Sequence, residues 1–203
     1  MAARKATKEI VYEFKRELIL HVACEQFYSR GYNATKIDDI ADALSVTKPF
    51  IYYHFPSKID ILAQVCGRTT TMARALAEAA ARDSTSPAAR MRKFVREFVF
   101  RVIAERKFLA VYFREAKHLP EEIQASLLED RRVFHAALSE LLETGRRAGE
   151  FHFIDRSITN QTLTGMGAWI FNWYSPEGLR SPEEVADIIV DLVMAMLRAE
   201  PQG

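Results

Sequence analysis

The stretch Thr35-Lys36-Ile37-Asp38-Asp39-Ile40-Ala41-Asp42-Ala43-Leu44-Ser45-Val46-Thr47-Lys48-Pro49-Phe50-Ile51-Tyr52-Tyr53-His54-Phe55-Pro56-Ser57-Lys58 holds two short helix patterns around a tight turn. Thr35 reads as an N-cap, with Asp38 three residues later closing a capping box. Ile37, Ile40, Ala41 and Leu44 then fall at the spacing of one buried face on a two-turn helix. Ser45-Val46 break it. Thr47 is a second N-cap candidate, with Pro49 in the first turn, where its missing N–H costs little. Val46, Ile51 and Phe55 can point inward, which leaves Lys48, Pro49, Phe50, Tyr52, Tyr53 and His54 facing out. Solvent-facing turns usually carry Glu, Lys or Gln. Aromatics beside a proline and a lysine suit a surface that a DNA duplex covers. Lys48, Tyr52 and His54 can donate to phosphates and fix register. Phe50 can touch a thymine methyl in the major groove.

Working outward, the pattern predicts a helix from about Lys8 to Ser29, with Phe14, Leu18, Val22 and Phe27 as its apolar stripe and Gly31 as its stop. Downstream, Ser57 with Asp60 forms another capping box, and Lys58 sits at a helix N-terminus, an anion site for one more phosphate. Arg4, Lys5 and Lys8 could form a flexible arm that adds minor-groove or phosphate contacts.

The quoted run resembles the DNA-binding domain of the TetR family of bacterial transcriptional repressors, over roughly residues 10 to 66. The aromatic pair before His-Phe, the Ser-Lys after it, and the Thr-x-x-x-Ile-Ala lead-in carry the likeness. Three positions differ from the commonest family pattern. Ser45 and Pro49 stand where glycine is usual, and Phe50 where a small polar residue is usual. Pro49 and Phe50 lie on the reading face, so they bear on base preference. The resemblance implies a three-helix head and an all-helical ligand-binding body, acting as a dimer. The candidate DNA-binding set is Thr35, Thr47, Lys48, Pro49, Phe50, Tyr52, Tyr53, His54 and Lys58.

The remaining patterns are also helical. Segments from Ser57 to Arg82, from Pro87, from Lys107 to Lys117, from Pro120 to about Arg147, from Ser157 to Tyr174, and from Ser181 to Arg198 bring the expected count to nine helices. Glu150 to Asp155 reads as a surface connection. No stretch reads convincingly as a strand. The fold class is therefore all-α: a three-helix head with a helix-turn-helix over 1–57, and a six-helix ligand-binding and dimerisation body over 58–203.

In the body, Gly165 and Gly167 lie mid-helix, where each costs about 0.8–1.0 kcal/mol against alanine. Close approach of another helix, or room for a ligand, would repay that. The last helix carries Val185, Ile188, Ile189, Leu192, Val193, Met196 and Leu197, a face too broad for one neighbour. The family resemblance puts the dimer contact on the last two helices. Gly165, Trp173, Val185, Ile188, Ile189, Leu192 and Met196 are its candidates. A two-fold dimer would set two reading helices on DNA half-sites about 34–36 Å or more apart.

For an effector, Phe98, Phe108, Tyr112, Phe134 and Trp169 could line a mostly apolar pocket, with Arg101, His135 and Asn172 as polar contacts. The pattern Trp-x-x-x-Trp-Tyr-x-Pro-x-Gly from Trp169 to Gly178 is similar to bodies of family members that respond to acyl-CoA thioesters or related lipid catabolites. The arginine that some of them carry before the second Trp is Asn172 here. The implied partners are operator DNA, a second copy, and a small hydrophobic effector.

Composition bounds the alternatives. The 203 residues suit one body plus a small head, and 28 Lys and Arg against 27 Asp and Glu rule out a basic nucleic-acid coat. Residues 1–58 hold nine Lys and Arg against seven Asp and Glu, a weak basic bias. Cys24 and Cys66 form no metal or redox spacing. No signal peptide or membrane-length apolar run is present, so a cytoplasmic protein is expected. His21, His54, His118, His135 and His152 are scattered, and no glycine-rich phosphate loop or nucleophile motif occurs. No cofactor and no enzymatic activity are expected. A regulator without effector response, and an activator rather than a repressor, stay open.

Overall fold

The computed structural model describes residues 2–198, with side chains described from Thr7 onward. It is all-helical among the described residues. The helices are α1 (Ala2–Arg30), α2 (Ile37–Ala43), α3 (Lys48–His54), α4 (Lys58–Arg82), α5 (Pro87–Ala104), α6 (Arg106–Glu115), α7 (Glu121–Arg147), α8 (Arg156–Ala168), α9 (Ile170–Trp173) and α10 (Pro182–Met196), with a 3-10 turn at Ala116–His118. The chain forms two compact units. One comprises residues 1–68 and 107–124, the other 69–106 and 125–203.

In the first unit the backbone of α1 is helical from Ala2, so the stretch expected as a flexible arm is helix. The side chains of Arg4 and Lys5 lie outside the described residues. The buried face of α1 is Ile19, Leu20, Ala23, Cys24 and Phe27. Phe14 and Leu18 are instead exposed, at 68% and 46%. A helix turns about 100° per residue, so the five-residue step from Val22 to Phe27 rotates about 140° and leaves the stripe. Ile37, Ile40 and Ala41 of α2, Ile51 of α3 and Phe55 just after it are also buried in this unit. So are Ile61, Leu62, Val65 and Cys66 of α4, and Phe108, Leu109 and Val111 of α6. Burial pushes the Cys66 thiol up to about 12, the charge of Glu115 adding to it, so both buried cysteines are core groups.

Capping at α2 differs from the expected box. Lys36, in extended backbone, is the N-cap, and its N–H donates to Asp39 Oδ2 at 2.6 Å. Thr35 is buried, and its hydroxyl donates to Gly31 O (2.8 Å) and Gln26 O (3.2 Å). Asp38 is thereby left free to meet Lys48 at 3.0 Å. The turn after α2 puts Ser45 at φ 54, a left-handed conformation that costs a side chain about 1–2 kcal/mol.

The second unit is built on α5. Its Met91, Phe94, Val95, Phe98, Val99 and Val102 are buried, and α10 packs along it with Val185, Ala186, Ile189, Val190 and Val193. The rings of Phe94 and Phe98 stack at 5.7 Å, and Phe98 stacks on Phe134 of α7 at 5.8 Å. Buried Arg90 donates to Ala80 O and Ala81 O, both at 2.8 Å, and so satisfies orphan carbonyls at the end of α4. The expected single helix from Ser157 is two, α8 and α9, joined at Trp169, whose N–H still donates to Gly165 O at 3.0 Å. Counted as one broken helix, this pair completes the six helices of the body. The connection at 150–155 is not all surface: Phe151 is buried, and a Cβ on Gly145 would lie 1.9 Å from its ring. Gly145 is thus a seat for that ring, while Gly149, at φ 72, ends α7.

The two glycines of α8 separate in role. A Cβ on Gly167 would lie 2.7 Å from the Phe98 ring, whereas one on Gly165 would meet nothing within 4 Å. Gly167→Ala is expected to destabilise the fold by about 1–3 kcal/mol through overpacking. Gly165→Ala should stabilise the isolated chain by up to about 1 kcal/mol. Urea unfolding of the two variants checks this; equal midpoints would refute the assignment.

Candidate nucleic-acid interface

The site is built where α3 leaves the α2 turn. Ile51 and Phe55 are buried and anchor one side of the helix. That orientation exposes Thr47, Lys48, Pro49, Tyr52 and Tyr53, with Phe50 half-buried. Tyr53 is 72% exposed and Tyr52 45%. Lys15 Nζ sits 5.6 Å from the centroid of the Phe50 ring, a cation–π contact that helps steady this aromatic. Thr47 occupies the N-cap position in extended backbone but makes no side-chain cap bond, so its hydroxyl is open to an outside acceptor.

His54 departs from expectation. It is buried at 3% and turned towards α1, where its ring lies 4.7 Å from Tyr12, with Phe50 and Tyr53 each at 5.0 Å. Its Nδ1 is buried without a hydrogen-bond partner. Burial first, then the charges of Lys15 and Arg16, hold its pKa below the ordinary 6.5, against a smaller opposing effect of Glu13. A neutral ring boxed by aromatics is a packing element and not a phosphate donor. Arg16 completes the seat: its Nη1 donates to His54 O at 2.6 Å, and its guanidinium lies 4.2 Å from the Phe55 ring centroid.

Two more candidates turn inward. Thr35, fully buried, cannot reach a duplex and instead ties the loop before α2. The Lys58 ammonium donates to Tyr32 O and Thr35 O, both at 2.8 Å, and lies over the Tyr32 ring at 4.2 Å. Burial lowers its pKa from the usual lysine value. Its charge therefore holds the α1–α2 loop. The helix N-terminus that suggested an anion site is already served by Ser57, whose hydroxyl accepts from Asp60 N at 3.3 Å.

Sequence reasoning missed Tyr12, Lys15 and Arg16, which buttress α3 from α1. Their contacts span about forty residues of chain, and no local pattern marks them.

The eight candidate ligand residues divide between the units. Phe108 and Tyr112 belong to the first, where buried Phe108 lies 5.2 Å from His21 and 4.8 Å from the Arg68 guanidinium. In the second, Phe98, Phe134 and His135 come together, with Phe134 and His135 at 5.1 Å. His135 Nδ1 lies 2.7 Å from Asn160 Oδ1, and Asn160 Nδ2 donates to His135 O and Ser139 Oγ, both at 2.8 Å. Arg101, Trp169 and Asn172 are exposed.

The dimer candidates divide too. Val185 and Ile189 are buried against α5, because α10 has two apolar faces and α5 takes that one. Ile188 and Leu192 remain exposed at 43% and 52%, as does Trp173 at 52%, and Met196 is half-buried. On α8 and its C-cap, exposed Ile158, Thr162, Gly165 and Trp169 fall at four-, three- and four-residue steps on one face. The second unit thus presents two outward apolar stripes. Among the described residues no group of His, Cys, Asp and Glu could hold a metal, and no helix is long and apolar enough to cross a membrane.

Comparisons with known proteins bear on the family and the fold. Residues 19–65 match the family model described as bacterial regulatory proteins, tetR family. Residues 84–197 match that of the tetracyclin repressor-like C-terminal domain. The chain is similar to the transcriptional repressor KstR2 of Rhodococcus jostii, at 27% identity over 89% of each chain. It is similar in structure to the regulator PfmR of Thermus thermophilus, with a TM-score of 0.80 and 27% identity, covering 89% of this chain and 99% of that one. AibR, solved with isovaleryl coenzyme A and operator DNA, shares the fold, with a TM-score of 0.76 at 23% identity over 88% of this chain and 97% of its own.

The box around His54 has a pH consequence. The folded form binds the proton more weakly than the unfolded chain, so its stabilisation is complete above the ordinary 6.5 and declines as pH falls below it. Thermal unfolding between about pH 5 and 8 should show the wild type losing stability on acidification relative to His54→Phe. Parallel curves would remove His54 as the cause.

Proposed function

Because the chain belongs to the TetR family of bacterial regulatory proteins, transcriptional regulators and not enzymes, we propose that it is a repressor that grips a roughly palindromic operator as a homodimer and is released by a small, largely apolar effector. Residues 1–57 act as the DNA-binding head and residues 58–203 as the ligand-binding and dimerisation body. The exposed face of α3 carries this reading, since large aromatics beside a lysine have no solvent-facing purpose that a duplex does not serve better. Thr47, Lys48 and Tyr52 are the phosphate donors, which set register. Pro49, Phe50 and Tyr53 offer apolar contact to base edges and sugars. In the free chain Lys48 pairs with Asp38. Both side chains are about half exposed, so solvent screens this pair and it yields readily to a phosphate.

A second copy would cover the stripes of α8 and α10, and the open Gly165 lets two helices approach closely. The effector would act by favouring a head spacing that the operator does not fit; a coupling of about 1–3 kcal/mol gives 5–150-fold relief. The aromatic group of Phe98, Phe134 and His135 is the part of the body best suited to an apolar ligand. An acyl-CoA thioester is the first class to try, since AibR holds one in the same fold. The stacking of Phe98 on Phe134 beneath Gly167 also supports a second reading, a filled core and a regulator that responds to no effector.

Selection from a randomised duplex library followed by affinity measurement tests the DNA reading. Lys48→Ala should weaken binding and flatten the salt slope by about one unit. Phe50→Ala should alter the selected consensus more than the affinity. Failure of the wild type to enrich any duplex at low salt would refute the proposal. A thermal-shift series with acyl-CoA thioesters tests the effector, which raises stability by mass action.

The dimer has its own test. Ile188→Arg or Leu192→Arg should give a folded monomer by light scattering, whereas Ile189→Arg should unfold the body because that side chain lies against α5. A dimer that survives both exposed substitutions places the interface elsewhere.

A further inference from the structure

Residues 107–124 belong to the compact unit of the head, although α5 before them and α7 from Ala125 onward belong to the other. Part of the reason is apolar: Phe108, Leu109 and Val111 are buried. The rest is a charged joint to the end of α1. Lys107 Nζ lies 2.6 Å from both carboxylate oxygens of Glu25. One nitrogen of Arg114 donates to Phe27 O and to Tyr28 O (3.1 Å for the latter), while its Nε meets Glu115 Oε1 at 2.7 Å. The same Glu115 oxygen accepts from Tyr32 N at 3.3 Å. His118 Nε2 lies 3.5 Å from the other oxygen, and its ring stacks on Tyr32 at 5.8 Å.

The Glu115 side chain is only 7% exposed. A carboxylate so buried persists only with compensation, and here an arginine, a histidine and a backbone N–H surround it. Arg114 in turn meets carbonyls near the end of α1, where the helix dipole favours a cation. Together they fix the first residues after α1. Lys58 takes Tyr32 O and Thr35 O of the same loop, and Lys36 then starts α2. The direction in which α2 and α3 leave is thus set against α6.

We propose that Glu115 and Arg114 are positioning residues for DNA recognition, holding the α1–α2 loop from α6 and making residues 107–124 a working part of the head. This rests on the DNA-binding reading above. The test uses the full-length chain with Arg114→Met and Glu115→Gln, singly and together. Glutamine keeps an acceptor for Tyr32 N, and Arg114 is half-exposed, so the single variants guard against loss of folding. Affinity for the duplex selected by the wild type should fall roughly ten-fold or more, the scale of a lost charged hydrogen bond. Low-salt affinity for a scrambled duplex should hold, since the phosphate donors remain. Hydrogen exchange should quicken over residues 31–36 and not over 19–24.

Unchanged duplex affinity together with unchanged exchange over 31–36 overturns the proposal. So does exchange that rises evenly through 19–65, which would mark a core defect. If the wild type selects no duplex, the DNA reading itself has failed and positioning for recognition falls with it; the exchange pattern then reports only whether the loop is held.

Discussion

Residues 31–36 leave α1 through a left-handed glycine and are then tied down at one backbone polar group after another. Thr35 N and Thr35 Oγ1 both donate to Gly31 O, Glu115 receives Tyr32 N, Lys58 serves Tyr32 O and Thr35 O, and Asp39 receives Lys36 N. A loop normally satisfies these groups with water and stays mobile. Here one ammonium group and two carboxylates replace the water. Apolar packing is non-directional, whereas hydrogen bonds fix angles. The short helix that follows has seven residues, too few to hold an orientation by itself, so its direction is inherited from this lock.

The reading helix has the same dependence. It also has seven residues, and only Ile51 and His54 of its side chains are buried. Phe55, just past its end, supplies the remaining anchor. What keeps it seated is a set of contacts from α1: the Tyr12 ring on His54, the Arg16 guanidinium on His54 O and Phe55, and Lys15 over Phe50. These cations bind the helix through carbonyls and rings, so the exposed face keeps only Lys48 as a formal positive charge. On the proposed reading, recognition on such a face would depend on shape and apolar contact more than on bulk charge, in keeping with a net charge of +1.

The second unit rests on one long pairing, α5 with α10. Full burial of a Val, Leu, Ile or Phe side chain is worth about 1.5–3 kcal/mol, so the dozen or so buried here form a substantial core. Alpha-helical geometry lets α10 bury Val185, Ile189 and Val193 on one side while Ile188 and Leu192 sit one residue away on another. The same geometry puts Gly167 under Phe98 and leaves Gly165 open. Neighbouring residues of one helix thus serve two different surfaces.

The existence and type of nearly every helix were legible in the chain, because caps, prolines and 3.6-residue periodicity are local. Ser181 with Glu184, Pro49, Pro87 and Gly31 all stand where the sequence implied. The outward aromatics of α3 were legible for the same reason. Which of two apolar faces a helix buries was not, as Phe14, Leu18, Val185 and Ile189 illustrate. Nor were the inward turn of His54, Thr35 and Lys58, the break at Trp169, or the grouping of α6 with the head. Several of these depend on partners far away in sequence: His54 on Tyr12, Lys58 on Tyr32, and α6 on Phe27 and Tyr28 of α1. Local order follows from the backbone and from each residue's own chemistry, so sequence determined it; the choice of partner follows from which surfaces exclude water together, and that exists only once the chain has folded.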